Sequence, residues 1–170
     1  DITEDDNEML WICSWGGGVY KFDPAKETFK LFRYDEKEIN SIESNIATKI
    51  EFAKSGKLYI SHFPKGLTIF DPVTEKFENA RNNEIVKNIF ADLAIFGLEI
   101  DQNQRLWVGS LQNILVFDLN SNEVISTYKK KIIDNFNNLF IINEPVNELY
   151  EDKRGVMWIG YYGTGLDRFD

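Results

Sequence analysis

The chain has 170 residues, 43% of them hydrophobic, and 28 acidic side chains against 19 basic ones give a formal net charge of -9. That is enough apolar material for one buried core, while the scatter of the cations, apart from Lys129, Lys130 and Lys131, excludes a phosphate-tracking surface and nucleic acid as its partner. No apolar run approaches the roughly 20 residues of a bilayer-spanning helix, and the single cysteine, Cys13, excludes an internal disulfide and a multi-cysteine metal site.

In chain order, a strand carrying Ile2 leads through the polar turn "EDDNE" at 4–8 into a short apolar strand around Trp11. Gly16, Gly17 and Gly18 follow, then a strand closing on Phe22 and Asp23, then "TFKLFRY" at 28–34. The same succession begins again at Ile50, Leu98 and Leu149. Trp11, Tyr59, Trp107 and Trp158 are separated by 48, 48 and 51 residues, and Phe22, Phe70, Phe117 and Phe169 by 48, 47 and 52. Fixed self-similarity of this kind specifies a repeat architecture, and the β-branched and aromatic segments between turn formers read as four antiparallel strands, A to D, in each unit. The strand-B cores "LWI", "LYI", "LWV" and "MWI" are apolar on both alternating faces, as in sheets covered on both sides.

Together the period and the two-sided strands predict an all-β segment of a β-propeller. Its four blade-like units span about 1–34, 46–80, 94–128 and 146–170, within one partial domain covering 1–170, and the last unit lacks its outer strand. Gly18, Gly66, Asn113 and Gly165 share one column in the turn between strands B and C, where a tight hairpin needs a residue tolerant of positive φ. The least repetitive stretches are the connections at 35–45, 81–93 and 129–145. Within "EIVKNIFADLAIF" at 84–96 the apolar spacing fits either a helical turn or a buried strand.

"ITEDDNEMLWICSWGGGVYKFDP" and "ELYEDKRGVMWIGYYGTGLDRFD" resemble the two-component regulator propeller repeat, and "NSIESNIATKI" at 40–50 is similar to that family's connection between blades. The resemblance covers all four units, although "AKSGK" lacks the acidic pair and "LQN" replaces the glycine-rich turn. It implies a periplasmic sensor segment of a hybrid two-component regulator that recognises a glycan-derived oligosaccharide and signals to a kinase elsewhere in the parent protein. The partners it implies are that oligosaccharide and the remaining blades and signalling domains, and a second copy in a homodimer is a further expected partner. A propeller scaffold for protein association is the rival reading, and a glycan-cleaving propeller a more distant one.

The sequence carries no phosphate loop and no metal-ligand spacing, so neither metal nor cofactor is expected. A Ser-His-Asp arrangement would have to use the one histidine, His62. The turn carboxylates Glu4, Asp5, Asp6, Glu151 and Asp152 suit backbone hydrogen bonding at turns better than acid–base or calcium chemistry. The tryptophan column reads as packing between blades, and Cys13 as a small buried residue. Because antiparallel strands reverse direction, the B-to-C turns and D-to-A connections share one face. That face gathers Trp15, Gly16, Gly17, His62, Phe63, Tyr161 and Tyr162, the expected ligand or partner surface, with no catalytic residue among them.

Overall fold

The computed structural model describes residues 1–111, 113–129, 131–133, 139–141, 145–163 and 165–169. Gln112 of "LQN", Lys130 of the lysine run and much of the 129–145 connection lie outside the described residues. The fold is all-β, a segment of β-propeller with four blade-like antiparallel sheets, the last of three strands. It divides into two compact units, Asp1–Ile95 and Phe96–Asp170.

The first sheet is β1 (Ile2–Glu4), β2 (Leu10–Ser14), β3 (Gly18–Asp23) and β4 (Thr28–Phe32), paired in that order. The second repeats the meander with β5 (Ala47–Phe52), β6 (Leu58–His62), β7 (Leu67–Asp71) and β8 (Lys76–Glu78). Between it and the third sheet the ambiguous segment resolves into both of its readings. Asn83 caps helix α1 (Glu84–Ile89), its side-chain oxygen accepting from the Val86 amide at 3.0 Å, and Val86 and Phe90 bury one side. The chain then enters β9 (Ile95–Ile100).

In the third sheet β9 is followed by β10 (Arg105–Ser110), β11 (Ile114–Asp118) and β12 (Glu123–Tyr128). The long connection after it, read from sequence without elements of its own, holds a two-stranded ribbon of β13 (Lys131–Ile133) and β14 (Leu139–Ile141). The final sheet comprises β15 (Val146–Glu151), β16 (Met157–Tyr161) and β17 (Gly165–Phe169).

Within the first unit the two sheets pack face to face. Trp11 is buried, stacks on Phe32 at 5.6 Å and meets Phe70 of the second sheet at 5.5 Å, amid Val19, Ile50, Leu58 and Ile60. The second unit repeats the joint. Trp107 stacks on Tyr128 at 6.1 Å and meets Phe169 of the fourth sheet edge-on at 5.5 Å, over Val146, Leu149, Met157 and Ile159. In each unit, then, the strand-B tryptophan of one sheet packs against the closing phenylalanine of the next, which explains why both columns recur in register. Cys13 lies in the first of these cores, and burial pushes its thiol up to about 12, so it is unreactive near neutrality.

Candidate functional site

The repeated carboxylates are committed to the scaffold. In the A-to-B turns, Asp5 Oδ1 accepts the amides of Asn7 (2.9 Å) and Met9 (3.0 Å), Asp101 Oδ1 those of Asn103 (3.0 Å) and Arg105 (2.9 Å), and Asp152 Oδ1 those of Arg154 (2.8 Å) and Val156 (3.2 Å). The second oxygen of each accepts the indole N–H of the tryptophan six residues on: Trp11 at 2.9 Å, Trp107 at 2.8 Å and Trp158 at 3.2 Å. A cation completes each arrangement, Lys21 at 3.6 Å from Asp5, Arg105 at 2.5 Å from Asp101 and Arg154 at 2.7 Å from Asp152. Burial alone would raise the Asp5 carboxyl, but the donated hydrogen bonds and Lys21 hold it below the usual range. The Arg154 guanidinium is the main cause that holds Asp152 far below it. In the C-to-D turns Asp23, Asp71 and Asp118 each accept amides two and three residues ahead. These are turn braces, and a carboxylate so held is a poor proton donor at neutral pH.

The surface expected from sequence is built differently at its different members. Trp15 is 71% exposed and Phe63 37%, and their rings lie 5.2 Å apart at 32°. They come from the B-to-C turns of the first and second sheets, and one stretch of the D-to-A connection holds both. Trp15 forms a β-bridge with Ile46, while the Phe63 amide donates to the Ile46 carbonyl at 2.9 Å. The Ser44 hydroxyl secures the Phe63 carbonyl at 3.1 Å. In the same way the Gly66 amide bonds to the Leu93 carbonyl at 3.0 Å, and the Tyr162 amide to that of Pro145 at 3.1 Å. B-to-C turns and D-to-A connections therefore meet, as the strand count required.

The glycines beside Trp15 serve the turn. The amides of Gly16 and Gly18 both donate to the Asn45 carbonyl, at 3.1 and 2.8 Å. A Cβ on Gly17 would stand 2.5 Å from Ser14 Oγ and 2.9 Å from the Tyr20 hydroxyl, so this position is small to admit the molecule's own side chains. What the turn offers outward is the indole ring, since the amides of Gly16 and Gly18 are taken.

His62 is not on the surface. It is fully buried in β6, with Nε2 2.8 Å from Thr68 Oγ1, and burial lowers its imidazole to about 3. Thr68 in turn receives the Glu43 amide at 3.0 Å. β6 runs one residue further than the sequence suggested and is buried on both faces, so His62 lies in the packing and Phe63, just past the strand's end, is exposed. In the second unit Tyr162 is 75% exposed and Tyr161 half-buried, with burial the main cause that pushes the Tyr161 phenol up to about 12. At the opposite end of the first unit, the A-to-B turns border a cleft of about 530 Å3 lined by Asp5, Asp6, Lys21, Phe52, Lys54 and Val73, among others. Sequence reasoning passed over this cleft because it forms where two turns from different repeats converge.

Comparison with known proteins agrees with this architecture. Residues 141–163 match the two component regulator propeller family. That stretch takes in β15, β16 and the turn bearing Tyr161 and Tyr162. A comparison with curated proteins returns no match. Among solved structures, the chain resembles the extracellular domain of BT4673 from B. thetaiotaomicron, assigned to a hybrid two component system, with a TM-score of 0.62 and 15% identity. The likeness covers 99% of this chain and 27% of that one. PorZ, a surface component of the type-IX secretion system of Porphyromonas gingivalis, is similar at a TM-score of 0.52 and 14% identity over 100% of this chain and 32% of its own. The computationally designed Ika4 protein gives a TM-score of 0.62 at 13% identity, with 99% of this chain and 88% of Ika4 covered. At these identities the likeness is one of fold, and the chain spans about a quarter to a third of the two natural propellers.

Proposed function

We propose that the chain is a non-enzymatic, ligand-binding part of a periplasmic two-component sensor, and that its ligand is an oligosaccharide released from a glycan. The observation that carries this reading is the division of labour among side chains. The recurrent carboxylates are saturated as turn braces, whereas the exposed Trp15–Phe63 pair is fixed through Ile46 on the face where turns and connections meet. Aromatic faces of this kind stack on the apolar faces of sugar rings, with neighbouring polar groups setting orientation. The match at 141–163 supports placing the segment in a regulator that passes binding on to signalling domains.

The test is the complete parent sensor incubated with a panel of defined oligosaccharides and followed by thermal stabilisation and calorimetry. A fragment that stabilises the parent, and binds more weakly once Trp15 and Phe63 are both alanine, is the expected result. Product release from the panel would instead make the protein an enzyme.

A further inference from the structure

The A-to-B turns of the first two sheets enclose a cleft where the same turns of the last two sheets touch. Aligned on Asp5, Ala53, Asp101 and Asp152, Asp6 of the first sheet corresponds to Gln102 of the third, and Phe52 and Gly56 of the second to Glu151 and Gly155 of the fourth. Between the third and fourth sheets the Gln102 amide donates to Glu151 Oε2 at 2.7 Å, and a Cβ on Gly155 would strike Gln102 Nε2. Between the first and second, a Cβ on Gly56 would meet nothing within 4 Å, and the space left is the cleft of about 530 Å3. That volume falls within the roughly 300–1,000 Å3 of small-molecule sites.

The lining is polarised. Asp5 and Lys21 are engaged with each other at 3.6 Å and with Trp11, whose indole N–H donates to Asp5 and whose ring lies 5.0 Å from the Lys21 ammonium. The first sheet adds the carboxylates of Glu4 and Asp6, and the second adds the Lys54 ammonium. Half-buried Phe52, Pro72 and the 92% exposed Val73 supply an apolar strip. We propose that this cleft binds a free α-amino acid with an apolar side chain. The ligand's ammonium donates to Glu4 and Asp6, its carboxylate accepts from Lys54, and its side chain covers Phe52, Pro72 and Val73. Each charge then meets its opposite, and the apolar strip leaves water. A simple cation would face Lys54 unmatched, and a simple anion would face two carboxylates. An ammonium has three donors, so Lys54 serves a ligand alongside contacts within its own chain. The cleft lies at the opposite end of the unit from Trp15 and Phe63, and the assignment is independent of whether that pair takes a sugar.

Calorimetry and thermal stabilisation of the complete parent protein, with leucine and phenylalanine as probes, test it. At least one of the two should bind, and leucinamide and N-acetyl-leucine, which each lack one of the two charges, should bind more weakly than leucine by roughly tenfold or more. Asp6→Asn and Lys54→Gln should each weaken leucine binding by a similar factor. Both positions are exposed, so these variants should keep the wild-type melting temperature without ligand. Alanine at Trp15 and Phe63 together should leave leucine binding unchanged, which separates this site from the aromatic pair on the other face. Neither heat nor stabilisation from either amino acid at millimolar concentration overturns the proposal. So does N-acetyl-leucine binding as tightly as leucine, or leucine binding that ignores Asp6→Asn and Lys54→Gln.

Discussion

Gly18, Gly66 and Gly165 share a column and a conformation, with φ of 91, 102 and 93, yet they differ in what a side chain would meet. A Cβ on Gly18 would strike the Phe32 carbonyl oxygen, one on Gly66 would press Glu43 Cγ at 3.1 Å, and one on Gly165 would meet nothing within 4 Å. Alanine should therefore cost about 1 kcal/mol at Gly165, from the left-handed backbone alone. At Gly66 it should cost somewhat more, and at Gly18 about 2–3 kcal/mol, because a carbonyl cannot rotate aside as a side chain can. Chemical denaturation of the three variants should return that order, and equal losses would mean that backbone strain is the whole cost. Glu8 shows the converse. It sits at φ 62 in the place that Gly56 and Gly155 hold in other repeats, so Glu8→Gly should stabilise by about 0.5–1 kcal/mol net of the freedom it returns to the unfolded chain. The glycine column was legible from sequence because glycine advertises its use, whereas a glutamate in the same conformation does not. His62 was misplaced because β6 is buried on both faces up to its last residue, so the exact strand end, which a sequence gives only to within a residue or two, decides that His62 is covered and Phe63 is not.

The acidic turn acts as an element, in which one aspartate organises two amides, an indole and a cation. Among the described residues the brace is tightest at Asp101, which is 1% exposed and bound to Asn103, Arg105 and Trp107. Asp101→Ala should cost about 2–4 kcal/mol, because it strands the buried Trp107 indole N–H and the half-buried donors of Arg105. Asp152→Ala should cost less, since its partner Arg154 is 72% exposed and water replaces the lost bonds. Urea melts of the two variants should return that order, and equal costs would show that the indole contact, common to both, dominates. The second repeat lacks both halves of the arrangement, having Ala53 for the aspartate and Tyr59 for the tryptophan. This joint departure could be read in the sequence once the columns were aligned, and the strands followed as directly from their period. The β13–β14 ribbon and α1 could not be so read, because each occurs once and has no second copy to check it against.

Across the molecule, buried His62 and half-buried Glu99 pull stability in opposite directions as pH changes. His62 is lowered by burial from 6.5 to about 3, so the folded state refuses a proton that the unfolded chain accepts. Its neutral form is compatible with the fold in full above about pH 6.5, and stability falls with pH below that, at up to about 1.4 kcal/mol per pH unit between about pH 6 and 4. Glu99 is raised from 4.5 to about 7, first by burial and then by the carboxylates of Glu151, Glu148 and Asp101. Here the folded state keeps a proton that the unfolded chain gives up, so stability is lost as pH rises from about 4.5 to 7. The lowered aspartates Asp5 and Asp152 lose their contribution only below about pH 4, but the Glu99 window overlaps that of His62, and the two opposite slopes offset each other between about pH 4.5 and 6.5. His62→Gln should thus uncover the Glu99 slope, so that stability rises as pH falls from about 6.5 to 4.5 where the wild type is nearly flat, and Glu99→Gln should stabilise above about pH 7 while leaving stability at pH 4 unchanged. Denaturation at closely spaced pH values checks both. If the Glu99→Gln gain were as large at pH 4 as at pH 8, it would come from packing and not from the proton.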